Sequence, residues 1–249
     1  MQGSKSPCYF TRLPEQFGGK IPFIVTDLIS RLRELNAINE VGLFRLNGSQ
    51  ADINEIIAKL DKGKIADWSK YNNVHTLANC LKKYFRDKVE KTPFFPATFN
   101  NSLEQLSTKS ETEVTYGLRD IILQLPKARI YTLAFIAKFL VDLEQNSAKN
   151  KMNASNIAIV IGPNFFNFDP KITNILFCNL LAHYNQIFEG YEITDKLFLN
   201  EEDMEIIDSP PIDTNGLLEI ISLRKSSVIP YVPSYVLNDP NVSIPTRKV

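Results

Sequence analysis

Apolar residues recur every three to four positions along most of the first 190 residues, the spacing that places them on one face of an α-helix. The segment 21–36 is typical, with Pro22 in the expected first turn, where a missing N–H costs nothing. Its apolar stripe consists of Ile21, Ile24, Val25, Leu28, Leu32 and Leu35. The same spacing predicts further helices within 49–63, 72–88, 113–125, 127–145, 153–162 and 172–188.

Helix start and stop signals support this pattern. Ser49 is placed to cap the second helix, with Asp52 at its third position and Gly63 after its end. Pro126 stops the helix that precedes it. The segment 127–145 is apolar on most faces, as is typical of the central helix of a bundle. We therefore predict that residues 15–190 form a single all-α helical-bundle domain.

The two ends of the chain differ from this domain. Residues 1–14 are expected to form a short N-terminal extension. Residues 191–249 contain repeated prolines, which exclude long helices, around one apolar stretch at 215–227. This Pro-containing C-terminal extension either docks partly on the helical domain or stays flexible, and its apolar stretch could also serve as a ligand for another protein.

Composition narrows the classes of function. Lys plus Arg and Asp plus Glu each total 28. The chain therefore has no overall basic field for nucleic acid or for an anionic membrane, so we expect no nucleic-acid partner. The cysteines Cys8, Cys80 and Cys178 are scattered, and the two histidines are far apart, which disfavours a disulfide framework or a metal site. No apolar run is long enough to cross a membrane, so we expect a cytoplasmic protein.

One loop carries a more specific signal. In the stretch 40–50, Arg45 lies three residues after Gly42 and three before Gly48, and an Asn-Gly turn signal follows it. Phe44 and Leu46 are expected to anchor the loop in the core on either side of Arg45. Arg45 would then project outward from a rigid base, which suits a guanidinium that reaches an anion on another molecule. An arginine between Phe and Leu also fits an ordinary surface residue or half of a salt bridge.

Two further segments carry weaker signals. Lys82 and Arg86 are four residues apart and share one helix face, which also fits an ordinary solvated surface. The segment 150–166 joins a polar entry to a buried helix and a stop at 162–164, which also fits plain helix capping. The chain has no phosphate-binding loop, dinucleotide fingerprint or nucleophile motif, so we do not expect an enzyme with its own active site.

Taken in order, these motifs resemble the RhoGAP domain, the GTPase-activating domain for Rho-type GTPases. The similar segments are the entry at 17–22, the arginine loop, the basic helix around 77–86 and the stretch 150–164. The resemblance runs from about residue 17 to about residue 188. It implies an all-helical domain that docks on a GTP-bound Rho, Rac or Cdc42-type small GTPase. GTP and Mg²⁺ would belong to that partner, so the chain would need no cofactor of its own.

The resemblance also implies roles for individual residues. Arg45 matches the catalytic arginine finger, a side chain supplied in trans to the partner GTPase. Gly42, Phe44 and Gly48 would shape its loop. The remaining matched positions are the partner-binding residues Lys82, Arg86, Pro163 and Asn164 and the structural residue Asn156.

One segment departs from the family pattern. At 85–96 the chain reads FRDKVEKTPFFP where the family commonly has a Leu-Pro-Glu-Pro continuation. The alternative function is therefore a non-catalytic RhoGAP-like module, which would bind small GTPases as a scaffold without accelerating hydrolysis. In either case we expect a monomer that reaches membranes through its partner.

Overall fold

The computed structural model describes residues 9–17, 21–65, 67–89, 93–191 and 193, and this part of the chain is helical with no strand. This confirms the predicted all-α class. The α-helices are α1 Phe23–Glu34, α2 Gln50–Leu60, α3 Val74–Val89, α4 Asn100–Leu106, α5 Glu111–Ile122, α6 Lys127–Gln145, α7 Ser147–Asn150, α8 Ala154–Ile161, α9 Pro170–Ala182 and α10 Tyr184–Ile187.

Helix α6 lies at the centre of the bundle, as its sequence predicts. It packs against α1, α8, α9 and α10. Its side chains are buried on several faces, including Ile130, Leu133 and Phe139, each at most 1% exposed. A helix buried on several faces stabilises its neighbours by removing apolar surface from water on each of them.

The helix ends follow local capping chemistry. The Ser49 hydroxyl accepts the Asp52 N–H at 3.3 Å and starts α2 as predicted. Helix α6 begins directly after Pro126. The single helix predicted over 172–188 is wrong in one respect, because the chain leaves helical geometry at His183 and divides into α9 and α10. The His183 ring lies 2.7 Å from a Glu111 carboxylate oxygen, a contact made across the fold that periodicity does not reveal.

Residues 9–17 form two 3-10 turns, Tyr9–Thr11 and Pro14–Phe17, that pack on the helical core. Phe10 and Phe17 are about as buried as core residues of the bundle. The Tyr9 N–H also donates to the Asp61 carbonyl at 3.1 Å. Within the described residues, the packed structure therefore includes residues 9–17. Of the C-terminal extension, only Tyr191 and residue 193 fall within the described residues, so both alternatives for 194–249 lie outside them.

The buried Arg129 side chain forms an ion pair and also holds the divergent segment 85–96 to the bundle by hydrogen bonds. Arg129 of α6 is 2% exposed and donates to the Glu15 carboxylate at 2.8 and 3.1 Å. It also donates to the carbonyls of Pro93 and Phe94 at 3.1 and 2.7 Å. Residues 90–92 and the side chains of 87–89 lie outside the described part, so the shape of that loop stays a prediction. No helix in the described part is both long and apolar enough to span a bilayer.

Candidate functional site

The arginine loop is a tight turn closed on the Gly42 carbonyl. Gly42 has φ of 70°, a left-handed conformation that glycine adopts without steric cost. The N–H groups of Arg45 and Leu46 both donate to the Gly42 oxygen, at 2.9 and 3.0 Å. This turn directs residues 43 and 44 into the core and residues 45 and 46 towards solvent.

The turn corrects one expectation about how the loop is anchored. Leu46 is 45% exposed, so the prediction that it anchors the loop in the core is wrong. Leu43 takes that role instead and is fully buried. The prediction assumed that alternate residues face the same way, as in extended chain. In a turn with left-handed residues at 42 and 44, adjacent residues share a side.

Phe44 holds an unusual backbone conformation. Its φ is 67°, in a region that bulky L-residues rarely adopt and that costs about 1–3 kcal/mol. The ring is fully buried and lies edge-on to Phe139 of α6, with centroids 6.3 Å apart. Burial of the ring therefore offsets strain in the residue that directly precedes Arg45.

The Arg45 side chain is exposed on the outer face of this turn. Its Nε and Nη2 atoms lie 3.5 Å from the position that a Cβ at residue 42 would occupy, so the guanidinium lies against its own loop. Within the described residues, Arg45 forms no ion pair. A fixed cation that meets no carboxylate there remains available to an external anion.

One face of α3 lies against the arginine loop and donates hydrogen bonds to its backbone. His75, Asn79, Lys82 and Arg86 recur at helical spacing, and we call this set the α3 polar stripe. Asn79 Nδ2 donates to the Leu46 carbonyl at 3.0 Å, and Lys82 Nζ donates to the Phe44 carbonyl at 2.9 Å. Nearer the start of α3, His75 Nε2 lies 3.3 Å from a Glu40 carboxylate oxygen. The stripe thus follows the loop from residue 40 to residue 46.

Lys82 occupies an electrostatically costly position in this stripe. Its partial burial, together with the positive charge of Arg86 one helical turn away, lowers the pKa of the Lys82 ammonium. Desolvation and a like charge both disfavour the protonated form. The chain therefore keeps two cations close together, one of them bonded to the residue before the exposed arginine, which is an arrangement suited to an anionic partner.

The opposite side of the loop is fastened by Asn150, a residue that the sequence reasoning missed. Its side chain is fully buried and donates to the carbonyls of Ile38 and Leu143, each at 2.7 Å. Its side-chain oxygen accepts the Met152 N–H at 2.7 Å. Its backbone carbonyl accepts the Gly42 N–H at 2.8 Å, which ties the base of the turn to the end of α7.

Gly48 is needed in the loop for a different reason from Gly42. Gly48 touches the start of α3, where a Cβ would lie 2.4 Å from the backbone nitrogen and Cα of Thr76. The next residue, Ser49, donates its N–H to Thr76 Oγ1 at 3.0 Å. Gly42 is therefore needed for its backbone angle, and Gly48 is needed because two backbones meet there.

The remaining predicted residues lie on neighbouring elements. Asn164 is 6% exposed and its amide donates to the carbonyls of Val160 and Ile161 at the end of α8, whereas Pro163 is exposed. Asn156 Nδ2 donates at 2.9 Å to the carbonyl of Lys151, which has a left-handed φ of 62°. These contacts are local, and the partner-binding role of Asn164 and Pro163 stays a prediction.

Aromatic packing brings the 162–164 turn to the same helix as the stripe. The rings of Phe85 and Phe165 lie 4.7 Å apart, centroid to centroid. Phe85 precedes Arg86, and Phe165 follows the 162–164 turn, which packs against α3. The structure therefore gathers the three predicted motifs around α3. Sequence spacing places Asn79 on the helix face of Lys82, and Asn150 begins the matched stretch 150–164, but the sequence does not show that either residue bonds the arginine loop.

Comparison with known proteins identifies the family to which the chain is similar. The family model of the RhoGAP domain matches residues 22–170. The chain is 31% identical over 175 residues to the SLIT-ROBO Rho GTPase-activating protein 1 of Homo sapiens, covering 69% of this chain and 16% of that protein. It is 34% identical over 151 residues to the Rho GTPase-activating protein 22 of Mus musculus, covering 60% of this chain and 21% of that protein.

The solved structures show the same fold. The crystal structure of human Rho GTPase activating protein 15 superposes with a TM-score of 0.69 at 18% identity, covering 75% of this chain and 95% of that one. The chain spans only about a sixth to a fifth of the length of the two relatives compared by sequence. The match of the family model over more than half of the chain nevertheless identifies the family, and the chain belongs to the RhoGAP domain family.

Proposed function

We propose that this chain stimulates GTP hydrolysis by a GTP-bound Rho-family small GTPase, and that Arg45 enters the partner's nucleotide site as an arginine finger. The observation that carries the proposal is the exposed Arg45 on a loop that is clamped from two sides. The Lys82 ammonium and the Asn150 carbonyl hold the loop backbone at residues 44 and 42. The guanidinium itself stays exposed.

The chemistry of phosphoryl transfer explains why such a device accelerates hydrolysis. Negative charge spreads over the oxygens of the transferring phosphoryl group in the transition state. A guanidinium in a water-poor cleft stabilises that charge, keeps its own charge when desolvated and binds phosphate through a planar fork. A loop that is already rigid avoids the cost of ordering the arginine at the moment of reaction.

The surrounding residues have supporting roles in this proposal. Lys82 holds the backbone before the finger through its bond to the Phe44 carbonyl. Arg86 adds a second cation on the face that meets the partner. Pro163 and Asn164 lie beside that face. GTP, Mg²⁺ and the attacking water belong to the partner, so this chain contributes binding and charge and undergoes no covalent change.

Single-turnover hydrolysis of GTP by purified Rho-family GTPases tests the proposal. Arg45→Ala should lower the stimulated rate by about 10³-fold or more, the typical value of a finger supplied in trans. Arg33→Ala is the matched control, because Arg33 is also exposed but pairs with Asp142 of α6. It should leave the rate unchanged. Full stimulation by Arg45→Ala across the panel would overturn the proposal.

The same experiment decides the alternative. A non-catalytic module would bind the GTP-loaded GTPase in a pull-down but would not raise the rate of hydrolysis, with or without Arg45. Acceleration by the wild-type chain that depends on Arg45 excludes that alternative.

A further inference from the structure

The backbone on both sides of Arg45 is held by the same helix. Lys82 donates to the Phe44 carbonyl at 2.9 Å, and Asn79, about one turn earlier in α3, donates to the Leu46 carbonyl at 3.0 Å. The same Asn79 amide nitrogen donates at 2.8 Å to the His75 carbonyl within its own helix. Asn79 therefore links the α3 backbone to the residue that follows the arginine.

These bonds restrict different peptide planes. The Lys82 contact fixes the plane between residues 44 and 45, and the Asn79 contact fixes the plane between residues 46 and 47. The N–H groups of residues 45 and 46 are already used by the Gly42 carbonyl. Without Asn79, the exit side of the turn is free to rotate, and Leu46, which is 45% exposed, offers little packing to restrain it.

We infer that Asn79 is a positioning residue for Arg45, holding the exit side of the finger turn as Lys82 holds its entry side. This inference rests on the proposed function, because its effect is on the rate that Arg45 stimulates. Asn79 acts through the loop and need not touch the partner. Its loss should therefore lower the rate within the complex and leave formation of the complex unchanged.

Two substitutions test the inference at different severity. Asn79→Asp keeps the shape of the side chain but places a carboxylate against the carbonyl oxygens of Leu46 and His75. The repulsion should push the exit side of the turn away from α3. Asn79→Ala removes the donor without adding a repulsion, and alanine favours the helix, so this variant should fold even if the first does not. Displacing a catalytic group by about 1 Å can cost about 10²-fold in rate.

The measurement is single-turnover GTP hydrolysis by a purified Rho-family GTPase over a range of concentrations of the chain. We expect the saturated rate to fall about tenfold in Asn79→Asp and several-fold in Asn79→Ala, because Lys82 and Gly42 still hold part of the turn. The half-saturating concentration should stay within about twofold. A defect that only lowered the folded fraction would instead leave the saturated rate unchanged and raise the half-saturating concentration in inverse proportion to that fraction.

A double variant separates action through Arg45 from other effects. Because Asn79 is inferred to act only by placing Arg45, Asn79→Ala should cause no further loss in an Arg45→Ala background. Asn174→Ala is the matched control, since its amide also bridges two elements, from α9 to Ser155 of α8. That variant should keep the wild-type saturated rate.

The outcomes distinguish this inference from the proposed function. If Arg45→Ala is slow but Asn79→Ala has the wild-type saturated rate, the role of Asn79 is overturned and the finger stands. If Asn79→Ala slows hydrolysis further in the Arg45→Ala background, Asn79 acts by another route and the inference fails. If Arg45→Ala itself hydrolyses at the wild-type rate, both proposals fall.

Discussion

Gly48→Ala perturbs the contact between the arginine loop and α3 at a single point. The added Cβ would lie 2.4 Å from the nitrogen and Cα of Thr76 and 2.5 Å from its Oγ1. Two of these three atoms are backbone, so no rotation of a side chain relieves the overlap. The loop and the start of α3 must therefore move apart by about 1 Å to reach ordinary van der Waals distance.

The magnitude follows from two terms. Overpacking of this kind costs about 1–3 kcal/mol. Separation also breaks the bond from the Ser49 N–H to Thr76 Oγ1, which contributes about 0.5–1.5 kcal/mol. The free energy of unfolding should fall by roughly 2–4 kcal/mol, which lowers the melting temperature by roughly 4–16 °C for a domain of this size. Because the displacement from α3 also moves the loop that carries Arg45, stimulated hydrolysis should fall by up to about 10²-fold.

Thermal melting followed by circular dichroism and single-turnover hydrolysis well below the melting temperature check these two effects. Gly117→Ala in α5 is the matched control, because its Cβ would meet the flexible Leu106 side chain, with the shortest contacts to its terminal methyl groups, and no backbone. It should change stability little and leave hydrolysis unaffected. A melting temperature of Gly48→Ala equal to that of the wild-type chain would refute the packing argument. A lowered melting temperature with normal hydrolysis would refute the coupling to the finger.

Two further predictions concern buried charges. Lys82→Met should slow saturated hydrolysis about tenfold by removing one brace of the proposed finger. It should change stability little, because the relief of a partly buried charge beside Arg86, which lowers the pKa of this lysine, offsets the lost bond to the Phe44 carbonyl. The wild-type chain should also gain stability relative to this variant as pH rises towards 10.5, since the folded state releases the proton before the unfolded state does; paired thermal melts check the sign. Arg129→Met should cost about 3–5 kcal/mol in urea unfolding, because it strands the Glu15 carboxylate and the carbonyls of residues 93 and 94, whereas Lys138→Met, which breaks a surface pair, should cost about 1 kcal/mol or less.

Features set by short-range chemistry could be predicted from the sequence. The capping role of Ser49 depends on a residue three positions away, and the start of α6 depends on the adjacent Pro126. The left-handed turn at Gly42 and the exposure of Arg45 follow from residue type and from the motif around them. Each of these features is decided within one or two helical turns of the residue concerned.

Features set by contacts distant in the chain could not be predicted. The break at His183 accompanies a contact to Glu111, 72 residues earlier, and Asn150 binds the carbonyl of a residue 112 positions away. Asn79 reaches back 33 residues to the Leu46 carbonyl. A polar side chain inside a helix has the same local pattern whether it faces solvent or a loop, so only the fold distinguishes the two.

The choice of phenylalanine at residue 44 shows how rigidity and strain are balanced in the arginine loop. Glycine would adopt the left-handed conformation of this residue without the cost of about 1–3 kcal/mol. It would also give up a fully buried ring, worth about 1.5–3 kcal/mol, and the contact to Phe139. The two terms are of similar size, so stability alone does not favour the aromatic residue. A buried ring fixes the residue before Arg45 in one position, whereas glycine would leave that residue free to move. The transition-state role proposed for the Arg45 guanidinium benefits from the fixed position.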